Sequence, residues 1–198
     1  KIDLRPGELV LVDQFIDRTR GRTEESTFFG NGCVAHAHFA DPIWEPLRQL
    51  ALKAARAAGA IAHDGGTYLC MEGPLFSTRA ESSLYRSWDV DVIGMTNLQE
   101  AKLAREAEMA YSTIALVTDY DCWHEGEGDV DVSVVLAVIK ANADLAQRVV
   151  VELARATSEL DEVISAEGCM EHAVMTAPDA ITEDARRRLD LLIGKYLG

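Results

Sequence analysis

The chain has 198 residues, 48% hydrophobic and 26% charged, with 33 acidic against 19 basic side chains and a formal net charge of -14. This length can bury a substantial core and the composition excludes general disorder, while the acidic excess excludes nucleic acid or an anionic membrane as the main partner, since both need a basic footprint. No apolar run is long enough to cross a bilayer, no secretory signal opens the chain and no CxxC pair occurs among Cys33, Cys70, Cys122 and Cys169, so a soluble, cytoplasmic protein with reduced thiols is expected.

After the turn signal Pro6-Gly7, the run Leu9-Val10-Leu11-Val12 predicts a strand buried on both faces. A buried strand so near the first residue implies that further chain precedes it. Residues 17–32 are polar and glycine-containing and read as a loop, with Arg18, Arg20 and Arg22 expected to be solvated. Leu47, Leu50, Ala51, Ala54 and Ala55 recur at helical spacing and stop at Gly59, which predicts an amphipathic helix over 46–60. A strand follows at 67–71, broken by Gly73-Pro74, and then a helix at 78–88 with Ala80, Leu84 and Tyr85 as its candidate inward residues.

Further along, 90–95 reads as a short buried strand and 98–111, rich in Ala, Glu, Lys, Leu and Arg, as a helix. The pattern then gives a strand at 112–118, a long helix at 132–157 and a final helix at 183–196. The acidic, glycine-containing stretch 125–131 is expected to be a mobile loop. Alternating strands and helices with short connections predict an α/β fold, its sheet covered on both faces. Polar residues at strand C-terminal ends line the ligand crevice of such a sheet. Three segments qualify: Glu72-Gly73-Pro74 with Phe76, Met95-Thr96, and Thr118-Asp119-Tyr120-Asp121.

Four stretches carry a resemblance. The segment 66–81 contains Glu72-Gly-Pro-Leu-Phe-Ser-Thr-Arg-Ala-Glu81. It is joined by Asp91-Val-Ile-Gly-Met-Thr96, Ala115-Leu-Val-Thr-Asp-Tyr-Asp-Cys-Trp123 and Val12-Asp-Gln-Phe-Ile-Asp-Arg-Thr19. Together, and in this order, they resemble the methylthioadenosine phosphorylases of the purine nucleoside phosphorylase superfamily.

The resemblance implies a single domain over 1–198 with a mixed, twisted sheet flanked by helices, forming the C-terminal two-thirds of the family fold. It also implies a homo-trimer or hexamer, no metal and no organic cofactor, with phosphate as co-substrate. The family's Gly-rich phosphate turn, Arg-His pair and Thr-Ala pair would lie upstream, in roughly a hundred residues beyond this sequence. They are expected on a separate N-terminal polypeptide; the competing reading is a non-catalytic fragment.

The implied reaction is phosphorolysis of methylthioadenosine through a ribosyl cation-like transition state. Asp119 would meet purine N7 as a carboxyl with a raised pKa in a closed pocket, and Asp121 would receive the 6-amino group. Phe76 would stack on the base. Ser77, where 6-oxopurine phosphorylases carry Glu, would favour a 6-aminopurine. Met95 would pack on the ribose and Thr96 would donate to phosphate. Val132, Val135 and Leu136 would wrap the 5' substituent, and His36 would reach a neighbouring subunit's pocket. Gly94 departs from the family's usual Asn, so one base contact is expected to be missing or made by backbone.

Without the resemblance these residues have plainer readings. The aspartates would be a solvated strand-end loop, Phe76 a core ring, Met95 core filler and the three apolar residues the inner face of a helix. His36 and His38, with no aligned carboxylate, are weak metal ligands. The alternative enzyme is a methylthioinosine or general purine nucleoside phosphorylase.

Overall fold

A computed structural model describes residues 1–22, 24–124, 132–162 and 164–197, without the side chains of 132–135. Six strands and five α-helices alternate: β1 (Leu9–Val12), β2 (Gln14–Arg18), α1 (Glu45–Ala57), β3 (Ala62–Asp64), β4 (Thr67–Met71), α2 (Arg79–Ser87), β5 (Val92–Gly94), α3 (Leu98–Glu106), β6 (Thr113–Leu116), α4 (Val132–Ser158) and α5 (Glu183–Ile193).

The strands form two three-stranded sheets. In one, β1 pairs in parallel with β3 and antiparallel with β6. In the other, β4 lies between β2 and β5, all parallel. The sheets are continuous where the chain passes between them. Leu11 faces Asp64 and Gln14 faces Thr67, so the separation is 53 positions on both sides of the junction, as it is for the Asp13–Gly66 pair between them. At this junction the Asp13 backbone N–H donates to the Gly66 carbonyl at 3.2 Å, and the Gly66 N–H returns a bond to Asp13 Oδ1 at 3.1 Å. Gly65 is left-handed at φ +92°, and a Cβ there would lie 2.8 Å from Asp13 Oδ2. The predicted mixed sheet is therefore present as two halves joined at a kink.

The β1 run is fully buried, as its unbroken apolar sequence requires. Its side chains alternate. Leu9 packs with Ala55 of α1 and Val149 of α4, and Leu11 with Ala51 and Leu52. Val10 and Val12 turn to the other side, onto Tyr68, Cys70, Leu98 and Val117. Helices thus cover both faces. Buried Asn142 of α4 donates to the Val117 carbonyl at 3.2 Å, fixing the end of β6 where the candidate segment begins.

Several boundaries differ from the sequence pattern. Residues 17–18 belong to β2, which pairs along its whole length with β4, although its exposed polar residues hide it. Three-residue β3 is too short to show a period. The α3 helix stops at Glu106 rather than 111. Glu108 is left-handed at φ +56°, and its carboxylate accepts from the Met170 N–H at 2.9 Å and from the Tyr196 hydroxyl at 2.7 Å. Lys195 also pairs with it at 2.7 Å, so a distant segment ends the helix. On α2, Tyr85 faces inward as expected and Ser82 joins it, while Ala80 and Leu84 are exposed, contrary to expectation. A second core, comprising Phe29, Cys33, Met170, Ala173, Ile181, Ala185, Leu189 and Ile193, ties the early loop to α5. The four cysteines are free thiols.

Candidate active site

The C-terminal ends of β4, β5 and β6 open onto one cleft of about 480 Å³. Six of the predicted residues line it: Phe76, Ser77, Met95, Thr96, Asp119 and Asp121. Three local devices deliver them.

The first device is a helix cap. Thr78 caps α2, its hydroxyl accepting from the Glu81 N–H at 3.2 Å while the Glu81 carboxylate accepts from the Thr78 N–H at 2.8 Å. This reciprocal capping box fixes the chain direction as it leaves the cleft, so Ser77 stands at the mouth of the helix. Two residues earlier the chain is at the rim, where Leu75 is 81% and Phe76 84% exposed. The Phe76 ring therefore has a free face, which a core ring would not have.

The second device is an arginine fork. Arg22 donates from Nη1 to the Met95 carbonyl at 2.6 Å and from Nη2 to the Glu72 carbonyl, and its Nε pairs with Glu72 Oε1 at 3.3 Å. One guanidinium thus spans the ends of β4 and β5. Glu72 also accepts from the Arg20 and Gly21 N–H groups, and these bonds, with the Arg22 contact, hold its carboxyl below the usual range. The expectation of a solvated Arg22 is corrected: the side chain is only 20% exposed and is spent on backbone carbonyls. Gly73, left-handed at φ +73°, lets Met95 Sδ approach to where a Cβ would stand 2.9 Å away.

The third device is the turn after β6. The Asp121 N–H donates to Asp119 Oδ1 at 2.8 Å, and the Thr118 hydroxyl donates to Asp119 Oδ2 at 2.7 Å. Asp121 is left-handed at φ +60°, a conformation that Asp tolerates better than most residues. Its Oδ2 accepts from the buried Ser82 hydroxyl at 2.6 Å. The turn continues as a 3-10 segment, Asp121–Trp123, held against α2 by Arg79 on the Cys122 carbonyl at 2.7 Å and by the Arg86 guanidinium 3.9 Å over the Trp123 ring. Asp119 is exposed, so the described residues do not supply the closed, water-poor surroundings expected for it.

Two further predicted residues, His36 and Leu136, lie elsewhere. His36 is exposed outside the cleft, its backbone N–H bonded to the Ala173 carbonyl at 2.8 Å. Leu136 is 60% exposed on α4 and also outside the cleft lining. The side chains of Val132 and Val135, and the stretch 125–131, fall outside the described residues. Among the described residues no three His, Cys, Asp or Glu side chains group as metal ligands, and no helix is long and apolar enough to cross a membrane.

Sequence reasoning missed Arg22 and Ser82. Nothing in a polar loop marks one arginine among three. Ser82 carried a usable signal, since it stands one helical turn beyond the Thr78 cap, on the face that carries Tyr85 one residue short of the next turn.

Comparison with known proteins gives one consistent answer. The family described as Phosphorylase superfamily matches residues 1–155. The S-methyl-5'-thioadenosine phosphorylase of Geobacter sulfurreducens is 51% identical over 195 residues, covering 98% of this chain and 68% of the relative. That of Koribacter versatilis is 50% identical over 198 residues, covering 100% and 67%. Among solved structures, a methylthioadenosine phosphorylase sourced from an antarctic soil metagenomic library superposes with a TM-score of 0.90 at 41% identity, over 97% of this chain and 67% of that one. The Schistosoma mansoni methylthioadenosine phosphorylase in complex with adenine gives 0.75 at 28% identity, over 98% and 68%. The chain spans about two thirds of the length of these relatives.

Proposed function

The chain belongs to the phosphorylase superfamily, and from that membership we propose that it is a pentosyltransferase that cleaves S-methyl-5'-thioadenosine with phosphate, giving adenine and 5-methylthioribose 1-phosphate. The observation that carries this reading is the convergence of Phe76, Ser77, Met95, Thr96, Asp119 and Asp121 on one cleft at the strand ends. The reaction uses phosphate as co-substrate and calls for no organic cofactor or metal.

In this reading the purine lies between the Phe76 ring and the β6 turn. Asp121 is oriented by Ser82 through Oδ2, and no described residue donates to its Oδ1, which leaves that oxygen to accept from the 6-amino group. Asp119 is assigned to supply the proton that the departing base needs at N7, so that the leaving group departs neutral. The developing positive charge on the sugar is met by phosphate from below, with Thr96 donating to the anion and Met95 packing on the ribose. Phosphate oxygen then bonds to the anomeric carbon as the bond to the purine nitrogen breaks. Val132, Val135 and Leu136 near the start of α4 are assigned to the methylthio group, His36 to a neighbouring protomer's cleft, and the working form to a cytoplasmic homo-trimer or hexamer. The exposure of Phe76, His36 and Leu136 supports a site completed by other chain.

The test is adenine release from methylthioadenosine, with and without phosphate. Phosphate-dependent release is expected. Release from methylthioinosine in preference would move the assignment to a 6-oxopurine enzyme. No release, from folded protein that still binds adenine, would leave a purine-binding fragment of the fold.

A further inference from the structure

Tyr68 holds a place in the cleft that the residues above do not explain. It lies on β4 opposite Val92 of β5, and Cys70 lies opposite Gly94, so Tyr68 and Gly94 share one face of the sheet two positions apart. Gly94 is outside the left-handed region, and no backbone requirement calls for glycine there. What bars a side chain is Tyr68 itself. A Cβ on Gly94 would stand 1.9 Å from the phenol oxygen and 2.7 Å from Cζ. The tip of the tyrosine fills the volume in which a side chain at position 94 would begin.

The ring of Tyr68 belongs to the core. The residue is 6% exposed, packs with Val10, Val12 and Leu98, and meets Phe15 edge-on at 5.7 Å. Phenylalanine would meet all of those contacts. The hydroxyl, by contrast, ends beside Gly94, Met95 and Thr96 in the wall of the cleft. Burial raises its pKa, and the Thr96 amide and hydroxyl only partly offset this, so the phenol stays neutral and keeps its proton to donate. A hydroxyl buried at this depth costs stability unless it is hydrogen-bonded, and the open side of this one is the cleft.

Resting on the phosphorylase reading, we propose that Tyr68 is a purine-binding residue, its hydroxyl lodged in the side-chain space left at Gly94 and hydrogen-bonded to the base. Gly94 is then the partner that makes room for it. The two positions act as one group.

Adenine affinity measured by calorimetry tests this, beside melting temperature, for the unaltered chain, Tyr68→Phe, Gly94→Ala and the double variant. Tyr68→Phe removes one oxygen and leaves the ring packing, so its melting temperature should fall by no more than a few degrees, the scale of the Thr96 bonds, while adenine binds about five- to tenfold more weakly. Gly94→Ala should weaken binding at least as much by driving the phenol out of its place. The double variant should bind no worse than Gly94→Ala alone, because both remove one interaction. Wild-type adenine affinity in Tyr68→Phe overturns the assignment and leaves the phosphorylase reading intact. A loss of affinity seen only with a large fall in melting temperature, well beyond the Thr96 bonds, also overturns it, returning Tyr68 to the core. If the unaltered chain neither binds adenine nor releases it from methylthioadenosine, both readings fall together.

Discussion

The buried Ser82 hydroxyl of α2 donates to Asp121 Oδ2 across 2.6 Å, joining the helix that follows one strand to the turn that follows another. A single serine on an otherwise apolar-facing position thus sets which carboxylate oxygen of Asp121 remains available. Ser82→Ala should leave the helix cap intact and weaken adenine binding about tenfold, the scale of one hydrogen bond to a charged group. Isothermal titration with adenine measures this. Unchanged affinity would mean that the Asp119–Asp121 turn orients the carboxylate unaided.

Arg22 predicts a different pattern. Its fork binds the carbonyls of Glu72 and Met95, so its loss should disturb both segments at once. Arg22→Ala should lower kcat/KM for methylthioadenosine by about a hundredfold, since small misplacements at a reacting centre are costly. Arg22→Lys should rescue little, because an ammonium cannot reproduce the planar fork. Steady-state kinetics on the two variants checks this, and full rescue by lysine would reduce the role of Arg22 to its charge.

The kink between the sheets offers a stability test. Gly65→Ala puts a Cβ 2.8 Å from Asp13 Oδ2 on a backbone at φ +92°. The expected cost is about 1–3 kcal/mol from the strained conformation, with a further loss if the Asp13 bond to Gly66 is displaced. Urea unfolding monitored by fluorescence should show an earlier midpoint with an unchanged slope.

Acid stability should report on Glu8. Its carboxyl is held below its usual 4.5 chiefly by the His63 hydrogen bond at 2.6 Å, aided by the Arg5 N–H and opposed by burial. A depressed folded value adds stability in full above the unfolded value, and that stability disappears as pH falls through the folded value. The chain should therefore lose stability as pH falls from the usual carboxylate value of 4.5 through the lower folded value, and Glu8→Gln should flatten that slope. Melting curves across this range provide the measurement, and parallel curves for the two proteins would count against the pair.

How much of this was readable beforehand depends on the range of the interaction. Strand β1 was legible because burial on both faces leaves an unbroken apolar run, and α2 because Thr78 and Glu81 write a capping box in four letters. Strand β2 was not, since Asp17 and Arg18 are exposed and only pairing with β4 makes them a strand. The end of α3 was hidden for the same reason: Tyr196 and Lys195 capture Glu108 from the far end of the sequence. Within the candidate site, the strand-end carboxylates and Phe76 announced themselves by type and position. Arg22, Ser82 and Tyr68 did not, because their roles come from partners 73, 39 and 26 positions away for Met95, Asp121 and Gly94.

The shared separation of 53 positions on both sides of the kink has a further meaning for how this chain can change in length. Everything between β2 and β3, including the polar loop and α1, is an excursion whose residue count the pairing does not restrict. Length changes in its exposed turns leave the register untouched, provided that Arg22, the Phe29 and Cys33 contacts and the packed face of α1 keep their places. Within 9–18 or 62–71 the opposite holds: one added residue would turn every following side chain to the wrong face unless the partner strand gained one at the same level. The two segments are bound to change length only together, while the exposed turns between them are free of that constraint.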